Sequence, residues 1–175
     1  MQILAILFSL FFLLPLQPVQ AADSSNNVPI LAFHQVTQHI SRGARPLKIG
    51  LEALAKMGIK TILNIDNSKT EIAAEEKNAK ALGLHMISLP MSGFWEPQDA
   101  QVEKILAELN NPANYPLFIH CQHGHDRTGL IMGLYRIQEQ HWSAKEAYAE
   151  MLELGFHKQL VFLNHYFEKK TGMDD

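Results

Sequence analysis

The chain has 175 residues, 47% hydrophobic and 19% charged, with a formal net charge of −3. That length buries one domain's core, and the mild negative charge gives no basic field to draw it to nucleic acid. The single cysteine excludes a disulfide within the chain, so a lone thiol in an oxidising compartment needs another reason to be there.

Residues 1–21 open with an apolar run from Ile3 to Leu14, shorter than the roughly twenty residues that cross a bilayer. The run stops at Pro15, and Val19-Gln20-Ala21 forms a small-residue cleavage site. This predicts a signal peptide over 1–21, a domain over 22–175, and a secreted or periplasmic protein with no stable membrane span after cleavage. The first residues carry no Lys or Arg, so the competing reading is an uncleaved anchor over residues 3–16.

Residues 22–28 read as a loose polar tail, and Ile30 to Phe33 as a short strand. Pro46 opens a helix with Leu47, Leu51 and Leu54 on one stripe, closed by Gly58. Ile59 to Ile65 reads as a buried strand. Ser68 with Glu71 suggests a capping box, ahead of a helix turning Ile72, Ala79 and Leu82 inward and ending at Gly83. His85 to Leu89 is a further strand, so strand, helix and strand predict a parallel pair. After a loop from Pro90 to Asp99, Val102, Ile105, Leu106 and Leu109 form the stripe of another helix. Past Trp142, Ser143 with Glu146 caps a helix with Ala147, Met151 and Leu154 inward. The last helix carries Leu160, Val161, Leu163, Asn164 and Phe167. The fold expected is a single α/β domain, with a central, mostly parallel sheet of four or five strands and helices on both faces.

The chemistry concentrates in one stretch. Leu117-Phe118-Ile119 is an apolar run, and His120 to Gly129 reads His-Cys-Gln-His-Gly-His-Asp-Arg-Thr-Gly. A helical pattern follows from Leu130 to Ile137. A strand, a tight loop and a helix N-terminus direct backbone N–H groups and the positive end of a dipole at an anion. Phosphate suits the planar donor fork of Arg127. Cys121 is a nucleophile whose thiolate such a field favours. Thr128 is expected to donate to the sulfur, and Gly124 and Gly129 permit the tight turn. Gly129 and Gly133 are expected to let the following helix pack close to the sheet.

His-Cys, five residues, then Arg-Thr-Gly resembles the phosphate-binding loop of the cysteine-dependent protein tyrosine and dual-specificity phosphatases. The segment from Phe33 to Pro46, with Arg42, is similar to the opening segment of small secreted or bacterial members, although Ser41 stands where those often carry an aromatic. The resemblance implies a phosphatase working through a cysteinyl-phosphate. Cys121 is the nucleophile and Arg127 the phosphate-holding group. His120, Gln122, His123, Gly124, His125, Thr128 and Gly129 form the substrate pocket, and no cofactor or metal is required. The substrate implied is a phosphotyrosine, phosphoserine or phosphothreonine protein, or a phosphoinositide or inositol phosphate.

In this family the loop before the third helix carries an aspartic acid that protonates the leaving oxygen. Here Glu96 and Asp99 are the nearest acids. Asp126 is the first candidate for that acid, with Asp99 and then Glu96 as alternatives. Myotubularin-like and other phosphoinositide phosphatases are similar in having Asp before the loop arginine, and in them that Asp has been proposed as the general acid. The loop lacks the lysines such enzymes often use for additional phosphates. Two alternatives stand beside the phosphatase: a catalytically weak phosphate-recognition module, and a metal-dependent hydrolase using His120, His123 and His125. The metal reading meets a spacing that fails the His-x-His-x-Asp-His pattern and a guanidinium where its last ligand belongs.

Overall fold

The structure, a computed structural model, describes residues 28–173. The expected signal peptide over 1–21 and the start of the expected domain lie outside the described residues. In chain order the elements are β1 (His34–Gln35), β2 (Ile40–Ala44), α1 (Lys48–Lys56), β3 (Thr61–Asn64), α2 (Lys69–Ala81), β4 (His85–Ser88), α3 (Asp99–Asn110), a 3-10 turn (Pro112–Asn114), β5 (Leu117–Cys121), α4 (Asp126–Gln140), α5 (Ala144–Glu153) and α6 (Val161–Thr171).

The five strands form one sheet in the order β1-β2-β5-β3-β4. Only β1 runs antiparallel to its neighbour; the other pairings are parallel. The apolar run ending in Cys121 is therefore the central strand, which suits its unbroken burial. Strand alternation divides its side chains between two cores. Phe118 joins Ile62, Leu51, Leu54 and Ala79 on the face covered by α1 and α2. Leu117, Ile119 and Cys121 join Leu63, Leu106, Leu130, Met151 and Phe167 on the face covered by α3 to α6. This is the single α/β domain expected, with five strands and helices on both faces.

Several local expectations give way. Ile30 to Phe33 is a turn, and the first strand falls at His34–Gln35. Ile40–Ala44 is an inner strand, although its Ser-Arg-Gly centre reads as loop. Pairing with β5 buries all five residues, and Phe118 packs where a Cβ on Gly43 would stand, 3.0 Å away. Ser68 caps α2 with no side-chain hydrogen bond; its N–H donates to Asp66 Oδ1, and Glu71 pairs instead with Arg45 at 3.1 Å. The Ser143–Glu146 capping box does form. Leu47 lies at the N-cap of α1 and is exposed, Ile72 and Leu82 are only half-buried, and Val161 is exposed on α6. Gly133 serves helix packing rather than the sheet: a Cβ there would stand 3.0 Å from the Phe167 ring of α6.

Phe118 is fully buried, stacks near Phe33 and His120, and sits over Gly43. Phe118→Ala is expected to lower stability by about 3–5 kcal/mol, read from equilibrium urea unfolding. A loss below about 1 kcal/mol would show that the core collapses around the site.

Candidate active site

The carboxyl ends of β3 and β5 carry buried Asn64, Asp66 and His120, at the edge where open α/β sheets place their ligands. Cys121 ends β5 and is 2% exposed. The chain then turns sharply into α4, which begins at Asp126. The turn depends on Gly124, at φ +79°: a Cβ there would stand 2.5 Å from Ala44 N and 2.6 Å from Gly43 O. Arg45 N donates to Gln122 O at 3.3 Å, and Arg42 Nη2 donates to Gly124 O at 2.7 Å. The loop is thus pinned to β2 by backbone and side chain. Arg42 thus braces the loop.

Arg42 is 2% exposed, and its Nε has no partner. Burial pulls the guanidinium down to about 10, with Cys121 drawing it back up. It is therefore still charged at neutral pH, as a guanidinium is expected to be. Arg127 is also buried, on the first turn of α4. Its Nη1 donates to Asn67 Oδ1 at 3.0 Å, Met91 O at 3.2 Å and, weakly, Asp66 Oδ1 at 3.4 Å. Asp66 is itself buried and accepts from Asn67 N at 2.7 Å. Its other oxygen lies 3.5 Å from Arg45 Nε. The guanidinium is therefore oriented by the turn that follows β3.

The expected pocket residues divide. His120 points to the face opposite Cys121, where its Nε2 stands 2.7 Å from Glu75 Oε1 of α2. Glu75 also accepts from Asn64 Nδ2 at 2.8 Å, and all three groups are buried. This network holds the end of β5 from behind. Gln122 and His123 are exposed. His125 Nδ1 lies 2.8 Å from Leu154 O, tying the loop to the end of α5, and the ring crowds Gly155, where a Cβ would stand 2.6 Å from Nδ1. Gly129 lies under Phe156. Thr128 is buried, but its Oγ1 has no hydrogen-bond partner, so the expected bond to the cysteine sulfur is not formed.

The three candidate acids also part company. Asp126 stays at the loop, where its Oδ1 accepts from His157 N at 2.8 Å and faces His157 Nδ1 at 3.0 Å. Asp99 faces α6: Lys170 at 2.7 Å and the Tyr166 hydroxyl at 3.0 Å hold its carboxyl below the usual range. Glu96 pairs with Lys169 at 3.0 Å. Among the described residues no group of three or more His, Cys, Asp and Glu is arranged to hold a metal ion, and no helix is long and apolar enough to cross a membrane.

A sequence model of the family described as "DSP-PTPase phosphatase fused to NAD+ Kinase" matches residues 13–166. The chain belongs to this family. It is 28% identical over 140 residues to the dual specificity protein phosphatase TpbA of Pseudomonas aeruginosa strain UCBPP-PA14, covering 78% of this chain and 58% of that protein. It is 29% identical over 147 residues to the inositol diphosphatase SIW14 of Saccharomyces cerevisiae, covering 81% of this chain and 51% of that protein. The chain thus spans little more than half the length of these relatives. The crystal structure of the S. cerevisiae SIW14 core catalytic domain with citrate superposes with a TM-score of 0.68 at 26% identity, covering 82% of this chain and 90% of that one.

Within this DSP-PTPase fold, sequence reasoning missed Asp66 and Asn67 on Arg127, Glu75 behind His120, and His157 on Asp126. The available signal for the first pair was position: polar residues directly after an inner strand, at the sheet's ligand-facing edge. Gly124→Ala is expected to remove activity and destabilise the fold. The left-handed backbone alone costs about 1–2 kcal/mol, and the methyl must also displace β2. Thermal unfolding and turnover, measured together, check this; an unchanged melting temperature would contradict the close approach.

Proposed function

We propose that this chain hydrolyses phosphate monoesters through a cysteinyl-phosphate. The observation that carries the proposal is Cys121 at the end of the central strand, on a loop braced by buried Arg42 and entering α4 one residue before buried Arg127. The Cys121 thiolate attacks phosphorus, forming an S–P bond as the P–O bond to the leaving group breaks. Arg127 and the loop N–H groups stabilise the equatorial oxygens as charge builds. The leaving oxygen takes a proton from an acid. Water then attacks phosphorus and gives a proton back to that acid's carboxylate, the S–P bond breaks, and the thiolate returns with release of inorganic phosphate.

Asp126 is the acid this reading favours. It lies beside the phosphate-holding arginine and keeps one oxygen on His157. Asp99 is poorly suited, because its carboxyl is engaged by Lys170 and the Tyr166 hydroxyl of α6, which hold it below the usual range. Glu96 is committed to Lys169. The relatives divide between a dual specificity protein phosphatase and an inositol diphosphatase, and the phosphoryl chemistry suits both. Export by way of residues 1–21 belongs to the same proposal, supported by the apolar run and the Val19-Gln20-Ala21 site. Fractionation of expressing cells with N-terminal sequencing tests it: a chain retaining residues 1–21 would overturn cleavage.

Phosphate release from an aryl phosphate and an alkyl phosphate tests the mechanism. Cys121→Ser is expected to fall to background, and Arg127→Lys to lose about 10²–10³-fold. Asp126→Asn should lose about 10²–10⁴-fold on the alkyl ester, and far less on an aryl ester whose leaving group needs no proton. A chelator should change nothing. Activity that survives Cys121→Ser would sink the proposal, and equal losses on both esters would remove Asp126 as the acid.

A further inference from the structure

Four large apolar side chains stand in water beside the loop: Phe94 is 74% exposed, Trp95 68%, Val161 67% and Phe162 46%. They belong to two segments far apart in sequence, the loop before α3 and the start of α6. Trp95 and Phe162 meet with ring centroids 5.7 Å apart. Gly93, Phe94, Gln159, Leu160, Val161 and Phe162 line one open groove. Its inner end reaches the phosphate-holding arginine, since a Cβ on Gly93 would lie 3.6 Å from Arg127 Nε. An exposed cluster of this kind is uncommon on a soluble protein unless it meets a ligand.

We propose that this groove seats an apolar side chain next to the phosphorylated residue of a protein segment. The site would then select phosphopeptides with apolar flanks over polyphosphorylated rings and lipid surfaces. This rests on the reading of residues 120–129 as the phosphoryl site. Charge favours that occupant. The two lysines of α6 are neutralised, Lys169 by Glu96 and Lys170 by Asp99. The chain as a whole carries a formal charge of −3. A ring bearing many phosphates, or an anionic membrane, needs a cluster of free cations; the groove is lined mainly by aromatic and aliphatic carbon with Gln159, and a single lysine, Lys158, directly precedes it in the chain. The phosphate end is cationic and the flank is apolar. That pairing matches one phosphomonoester carried beside a Leu, Ile or Phe. The absence of a glycine side chain at position 93 lets the two subsites adjoin.

The test is fluorescence anisotropy on the full chain carrying Cys121→Ser, with labelled phosphotyrosine peptides flanked by Leu and Phe or by Asp. The apolar-flanked peptide is expected to bind about ten-fold tighter, the scale of burying one apolar side chain. Adding Phe94→Asp and Phe162→Asp should bring the ratio to about one, with thermal unfolding checking that the exposed substitutions leave the fold intact. Equal affinities in the Cys121→Ser protein, or a preference that survives the added substitutions, would overturn the proposal. So would tighter binding of inositol hexakisphosphate, or of phosphatidylserine-containing vesicles, than of either peptide. Phosphate release from the same peptides by the unsubstituted chain is read separately. Its absence alongside flank-dependent binding would overturn the catalytic reading while supporting the groove.

Discussion

Two guanidinium groups are buried around one loop, and much of the fold is arranged to hold them there. Burying a charge is costly unless hydrogen bonds and counter-charges compensate it. Arg127 receives that compensation from Asp66, Asn67 and the Met91 carbonyl. Arg42 receives less: one carbonyl of the loop, and an Nε without a partner. The result is a pair of buried cations around the loop whose geometry is set by packing. An incoming dianion meets donors already in place, the condition under which electrostatic stabilisation of a transition state is most effective.

The sheet topology makes that arrangement reachable. With β5 between β2 and β3, the strand that ends in Cys121 is flanked by the two strands whose ends supply its supports. The end of β2 delivers Arg42 and the Gly43–Ala44 backbone against which Gly124 is pressed. The end of β3 delivers Asn64, Asp66 and Asn67. The loop after β4 delivers Met91 and Gly93, with Met91 N bonded to Ile65 O. Behind the strand, Glu75 of α2 joins His120 to Asn64. Strand alternation separates the two side chains: His120 meets Glu75 on one face, and Cys121 lies on the other.

The acids show how a motif and its surroundings combine. Asp126, Asp99 and Glu96 have similar side-chain chemistry, and their differences are imposed from outside. Asp99 and Glu96 are drawn to lysines of α6, which leaves them as surface ion pairs of small energetic weight. Asp126 is drawn to His157, in the loop after α5. That loop also contributes Gln159 and Leu160 to the groove reaching Arg127. The segment between α5 and α6 therefore touches both the loop acid and the apolar rim.

The run from His120 to Gly129 was legible in the sequence because its information is local. A cysteine, a turn glycine and an arginine on a helix's first turn stand at spacings that one strand–loop–helix unit fixes. The helices and the parallel pair β3–β4 were legible for the same reason, through apolar periodicity. Ile40–Ala44 was not, since Ser-Arg-Gly carries no apolar pattern and becomes a strand only by pairing with β5. The brace from Arg42 joins residues 82 apart, and the contact between Arg127 and Asp66 joins residues 61 apart. Polar residues at a strand's end read alike whether they face water or orient a guanidinium. Only the tertiary structure, by bringing distant strand ends to one edge and enclosing their charges, decided which of them serve the site.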